Sequence, residues 1–127
     1  MRQKSINIEG VAHNAPIPAA SRVGNIIATG GVSGIDPATG KPAADADSQA
    51  RLAFENLKQI LAAGGADMGD VVKLTVFLAD EAHRSAINKY WLDIYPDPHH
   101  RPARHALVLP LRGGVLLQLE ALAVAKD

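Results

Sequence analysis

Cysteine is absent from all 127 residues, which excludes disulfides, thiolate metal sites and a thiol nucleophile while leaving the compartment open. Net charge is absent too. The 13 Lys and Arg residues balance 13 Asp and Glu residues, and the cations are scattered rather than gathered into a basic stripe, so nucleic acid is not an expected partner. No apolar run is long enough to span a bilayer, because Gln118 and Glu120 interrupt the most apolar stretch. From Met1 to Glu9 the chain alternates polar and apolar residues and lacks the apolar centre of a signal peptide. A cytoplasmic protein with no membrane partner is the expectation. Repeats, linkers and low-complexity tails are missing as well, so residues 1–127 are expected to form one domain with room for a core.

What is present reads as alternating strands and helices. Residues 5–9 predict a first strand, and residues 25–32 a second, entered through the turn Val23-Gly24-Asn25. Between them Pro16 and Pro18 favour an extended loop. Asp36-Pro37-Ala38-Thr39-Gly40 reads as a turn. Ala50, Phe54, Leu57 and Leu61 recur at helical spacing and predict a helix over 47–63, capped by Asp47 or Ser48 and ended by Gly64-Gly65. The β-branched run 71–78 predicts a central strand. Helical periodicity returns over 81–95 until Pro96 and Pro98 close it, and strands are expected over 105–109 and 115–124. The order ββαβαββ supplies two helices, enough to cover one face of a mixed α+β sheet. The last strand is apolar on both faces, with Leu117, Leu119, Ala121 and Ala123 on one side and Leu116, Gln118, Glu120, Leu122 and Val124 on the other. Burial of the second face against identical subunits follows, hence a homo-oligomer.

Two residues invite a chemical reading. Arg104, in Pro102-Ala103-Arg104-His105, carries a planar, permanently charged guanidinium suited to holding a small carboxylate through two parallel hydrogen bonds. Glu120 is a lone acid in an apolar strand and needs either a partner or a job. On these residues alone, a ligand site and an interchain ion pair between the two are equally good readings. His99, His100 and His105 lack the spacing that would aim imidazoles at one ion, and no metal is expected. His105 should point to the opposite face of its strand from Arg104, with Ala106 on the arginine's side. His13 is a weaker acid/base candidate in the loop. Trp91 and Tyr90 fit helix packing better than ligand stacking, and Gly30-Gly31 lacks the residues of a phosphate loop.

Several segments carry a resemblance when read in order: Arg22-Val23-Gly24-Asn25-Ile26-Ile27-Ala28-Thr29-Gly30-Gly31, Ile35-Asp36-Pro37-Ala38-Thr39-Gly40, Ala53-Phe54-Glu55-Asn56-Leu57-Lys58, Asp70-Val71-Val72-Lys73-Leu74-Thr75-Val76-Phe77-Leu78, Asn88, Arg101-Pro102-Ala103-Arg104 and Glu120-Ala121-Leu122-Ala123. Together they resemble the YjgF/RidA family of reactive intermediate (enamine/imine) deaminases. The resemblance implies a chorismate-mutase-like α+β fold and a homotrimer whose sheets face inward, with three clefts between subunits. It implies hydrolysis of imine or enamine carboxylic acids to oxo acids and ammonia without metal or organic cofactor. It also implies roles: Arg104 binds the substrate carboxylate, Glu120 positions or polarises the water, Asn88 lines the cleft, and Gly31 presents backbone beside the ligand. The chain departs from the common family pattern at Ile17, where a tyrosine would fall, at Gly30 and Val32 in place of serine and glutamine, and at His105 and Ala106 in place of serine and cysteine. A less polar cleft follows, suited to a larger or more apolar substrate tail. Two other functions fit the same residues: a non-catalytic trimer that binds small carboxylates, keeping Arg104 but indifferent to Glu120, and a protein-interaction or chaperone-like module that needs neither.

Overall fold

The computed structural model describes residues 1–11 and 15–126. Its strands are β1 (Lys4–Ile6), β2 (Ala20–Val23), β3 (Ile26–Thr29), β4 (Val32–Ser33), β5 (Ile35–Asp36), β6 (Lys41–Pro42), β7 (Val71–Leu78), β8 (Ala103–Val108) and β9 (Leu117–Val124). Two α-helices, α1 (Ala46–Ala63) and α2 (Arg84–Ile94), lie before and after β7. The main sheet runs β1-β2-β3-β9-β7-β8, with β4 also paired to β9, while β5 and β6 form a separate hairpin around the turn at 36–40. Among the described strands only β7 and β8 pair in parallel, and α2 is the crossover between them, as parallel neighbours require.

The N-terminal part differs from the sequence expectation. The turn at Gly24-Asn25 does not enter a strand from a loop; it joins two paired arms, β2 and β3, and Gly24 takes the positive φ of 57° that the reversal needs. The expected strand over 25–32 is broken at Gly30-Gly31. Ala28 pairs with Leu122 and Val32 with Leu119, so four residue steps on this side meet three on β9. This is a bulge. Thr29 fills the interrupted ladder, its Oγ1 accepting a hydrogen bond from the Ala121 N–H at 2.9 Å. The first strand lies at Lys4–Ile6 rather than 5–9 because its partner β2 ends opposite Ile6, at Ala20.

Helix α1 begins at Asp45, not at Asp47 or Ser48. Asp45 holds extended backbone and its carboxylate accepts the Ser48 N–H at 2.8 Å, the geometry of an N-cap. Asp47 turns away instead to accept Lys89 Nζ at 3.0 Å and the Tyr90 hydroxyl at 2.9 Å, both from α2. Residues 81–83, expected in the second helix, form a short 3-10 helix (Glu81–His83) capped by Asp80, and α2 proper starts at Arg84. β8 starts at Ala103, ahead of the expected 105, and β9 starts at Leu117, after a turn in which Val115 N–H bonds Arg112 carbonyl.

Both helices pack on one face of the sheet. Leu57, Leu61, Ile87 and Trp91 meet Ile27, Leu74, Val76, Leu78, Leu117, Leu119 and Ala123 in one buried core. The other face carries Ile26 and Ala28 of β3, Gln118, Glu120, Leu122 and Val124 of β9, Lys73, Thr75 and Phe77 of β7, and His105 and Leu107 of β8. Ile26, Leu107, Leu122 and Val124 stay 55%, 39%, 41% and 47% exposed there. The expected asymmetry of the sheet is therefore present, with one face under helices and one uncovered in the single chain.

Candidate active site

The second residue of β8 is Arg104, whose register partner on β7 is Leu74, a core residue. Its side chain therefore rises on the helix side, where α2 receives it. Nη2 donates to Asn88 Oδ1 at 2.6 Å, and the guanidinium carbon lies 4.9 Å from the Trp91 ring centroid, a cation–π contact. Asn88 and Trp91 are three residues apart and share one face of α2, which is why a single helix can supply both contacts. Nη1 is buried without a hydrogen-bond partner. Burial, and then the neighbouring Arg84 guanidinium, hold the Arg104 pKa below its ordinary value; Arg84 is itself bound to Glu81 through two hydrogen bonds. A guanidinium is still cationic at neutral pH. The cluster is thus a fixed cation with one donor group spent on an amide oxygen and one unspent, and leaving a buried donor unspent is costly. Ala106, two residues on, shares this side and packs against the core.

Glu120 belongs to a second cluster. Its register partner is Thr75, and Thr75 in turn pairs with His105, so the three share the uncovered face. Next to Glu120 on the other side lies the bulge of Gly30 and Gly31. A Cβ at Gly31 would lie 2.5 Å from the Gln118 amide carbon, so a side chain there would require the Gln118 amide to move. Gly30 N–H bonds the Ala19 carbonyl at 2.9 Å and ties the loop that carries the exposed Ile17 to the end of β3. Gly31, Val32, Ser33 and Gln118 border a cavity of about 350 Å³, which Asn56 and Ile60 of α1 close from behind. Asn56 is fixed there, its Nδ2 donating to the Ser33 and Ile35 carbonyls at 3.1 and 2.9 Å.

The structure therefore brings Arg104, Asn88 and Ala106 together, and Glu120, Gly30 and Gly31 together, but it does not join the two sets within one chain. Leu74 pairs with both Arg104 and Ala121, so Arg104 and Glu120 project from opposite faces with β7 between them. No ion pair links them among the described residues. His105 and Ala106 take the opposite sides expected of them. His99 and His100 are exposed, the latter 2.9 Å from Asp97, and the described residues hold no group of three or more His, Cys, Asp or Glu able to bind a metal. His13 lies outside the described residues. Trp91 is the residue whose role the sequence reading missed: it packs in the core as expected, yet its ring also carries the Arg104 guanidinium. The available signal was its spacing from Asn88.

The family model described as Endoribonuclease L-PSP matches residues 11–125. Over 114 residues the chain is 37% identical to a RutC family protein of Haemophilus influenzae, covering 87% of this chain and 88% of that protein. Over 106 residues it is 35% identical to the 2-iminobutanoate/2-iminopropanoate deaminase of Salmonella typhimurium, covering 82% and 83%. Among solved structures, that of Escherichia coli TdcF with bound serine aligns with a TM-score of 0.87 at 31% identity, over 97% of this chain and 99% of that one. No helix among the described residues is long and apolar enough to cross a membrane. The ordered motifs, the mixed sheet with two helices on one face and these likenesses agree: the chain belongs to the YjgF/RidA family, the family of the Endoribonuclease L-PSP model, and has its chorismate-mutase-like α+β fold.

Proposed function

We propose that this protein is a cytoplasmic homotrimeric deaminase that hydrolyses imine or enamine carboxylic acids to oxo acids and ammonia. The observation that carries the reading is the buried, unpartnered Nη1 of Arg104, beside a guanidinium already oriented by Asn88 and Trp91. A substrate carboxylate supplies the missing acceptor and the opposite charge at once. The relatives named as imine deaminases give the reaction its class. Because Arg104 and Glu120 face opposite sides of the sheet, the working site is completed between subunits, the anchor of one meeting the acid of its neighbour.

Hydrolysis then needs little beyond positioning, since the electrophile is reactive already. The water oxygen bonds to the imine carbon and its proton passes to Glu120. Glu120 returns that proton to nitrogen, giving a carbinolamine; the remaining hydroxyl proton then follows the same route through Glu120 to nitrogen as the carbon–nitrogen bond breaks, releasing ammonia and leaving the carbonyl of the oxo acid. Ile17, Gly30, Val32 and Ala106 give the cleft an apolar lining, which suits a substrate with a larger or more apolar tail. The neutral charge balance without a basic stripe argues against acting on RNA, which the family description would suggest.

Imines generated from alanine, leucine and phenylalanine by an amino-acid oxidase provide the assay. Arg104→Ala is expected to lower kcat/KM by at least 100-fold, about 3 kcal/mol, with the assembly intact, and Arg104→Lys to recover little of it because an ammonium lacks the planar fork. Full activity in either variant would sink the assignment. Glu120→Gln separates an enzyme from a carboxylate-binding trimer: turnover falls while carboxylate affinity stays in the first case, and neither changes in the second.

A further inference from the structure

Thr75 sits in the middle of β7 with Glu120 opposite it on β9 and His105 opposite it on β8. Directly opposed residues of neighbouring strands share a face. Carboxylate, hydroxyl and imidazole therefore form one row across three strands, on the side away from the helices. Two interstrand spacings of about 4.8 Å separate Glu120 from His105, a gap that two extended side chains and the hydroxyl between them can bridge. His105 is the residue at which this chain carries imidazole where the common family pattern has serine.

The surroundings isolate the row. Gln118, Phe77 and Leu107 lie in the next row on one side, and Leu122, Lys73 and Ala103 in the next row on the other. β3 contributes Ile26 and Ala28 to this face, neither of them titratable. Among the described strand residues of the face the charged or titratable groups are thus Glu120, His105 and Lys73. Arg104 projects from the opposite side. Glu120, Thr75 and His105 make no side-chain hydrogen bond within the described chain, so all three are available to one another once the face is covered.

We infer that His105 is a positioning residue for Glu120, coupled to it through Thr75, so that the protonation state of the imidazole sets how well the carboxylate takes a proton from water. The inference rests on the deaminase reading above. As neutral imidazole, His105 accepts a hydrogen bond from the Thr75 hydroxyl or donates one toward the carboxylate, holding Glu120 over the cleft without drawing on its charge. As imidazolium it attracts the carboxylate and weakens it as a base. Protonation of His105 therefore lowers turnover rather than binding, since Arg104 lies on the other face.

The test is the pH profile of kcat and KM from 5.5 to 8.5, net of enzyme-free imine hydrolysis, for wild type, His105→Gln, Thr75→Val and the control Lys73→Met. His105→Gln is expected to flatten the acid limb and lower kcat several-fold at neutral pH with KM little changed. Thr75→Val should do the same, and Lys73→Met should keep the wild-type limb. At fixed neutral pH the ring resonances of His105 should move in Glu120→Gln. A wild-type profile in His105→Gln, or unmoved resonances, would overturn the coupling. Loss of trimeric mass in both His105→Gln and His105→Asn, with the acid limb unchanged, would make His105 an interface group and overturn it too. If Glu120→Gln retains full turnover, the deaminase role of Glu120 fails; if Glu120→Gln is impaired and His105→Gln is not, this inference alone fails.

Discussion

Arg104 shows how two neighbours and burial together constrain a single side chain. Asn88 fixes one donor, Trp91 supports the plane, and burial leaves the other donor without an acceptor. An isolated surface arginine has none of these constraints and solvates every N–H. Gly31 makes the converse point, since its contribution is the absence of a side chain. Any Cβ would meet the amide of Gln118, which is itself bound to Ser33 Oγ at 3.0 Å. Gly31→Ala is therefore expected to cost about 1–3 kcal/mol, and Gln118→Ala in the same chain to recover most of it. Urea unfolding of both single variants and the pair forms the cycle that checks this; simple additivity would show that the bulge rather than the amide resents the methyl group. As candidates, Arg104 and Glu120 stand out in the sequence by their chemistry and setting, and Asn88 by the family pattern. The support given by Trp91 does not, because a lone tryptophan on an apolar helix face has an adequate explanation in packing alone.

At the scale of elements, legibility followed the strength of the local signal. The run Val71–Leu78 has four β-branched residues in a row of eight and forms a strand over its whole predicted length. The apolar stripe of α1 was equally plain, whereas its start was not: Asp45, Asp47 and Ser48 can all cap, and only the backbone of the folded chain selects Asp45. β2 was missed because four residues, Ala20–Val23, offer too short a period to read. The facing of Arg104 and Glu120 was beyond sequence reasoning for a different reason, as it depends on how both strands register against β7. The end of α2 supplies a prediction. Tyr95 is buried, and its hydroxyl donates to the Met68 carbonyl at 2.7 Å. Burial, aided by Asp67, pushes its pKa from 10.0 up to about 12. The folded state thus prefers the neutral phenol, and the unfolded chain releases the proton first. The corresponding stability is fully present below pH 10 and is lost as pH rises through 12. Tyr95→Phe should be less stable than wild type at pH 8, by about 1 kcal/mol for the missing hydrogen bond, and should lose less on going to pH 11. Parallel urea curves at both pH values decide it; an equal alkaline loss in the two proteins would place its cause elsewhere.

For the whole molecule, the uncovered sheet face is the dominant fact. Leu122 and Val124 stand on it at the middle of the sheet, where an isolated chain would expose them to water. If the face is covered by neighbouring subunits, Leu122→Asp should reduce the mass measured by light scattering to that of one chain and abolish activity, while far-UV circular dichroism stays close to wild type, since the core behind the strand is untouched. A trimeric mass retained with aspartate at this position would exclude the covered-face assembly. The position of β9 has one more consequence, and it concerns time. β9 follows every other strand in the chain, yet it lies between β3 and β7 and joins the two halves of the sheet. During synthesis, β1 to β3 leave the ribosome as one unfinished edge, and β7 and β8 as another, with nothing to bridge them. The sheet cannot close until residues 117–124 have emerged, so between the emergence of β7 and that of β9 the nascent segments hold two open edges, the period in which they most need shielding from their neighbours.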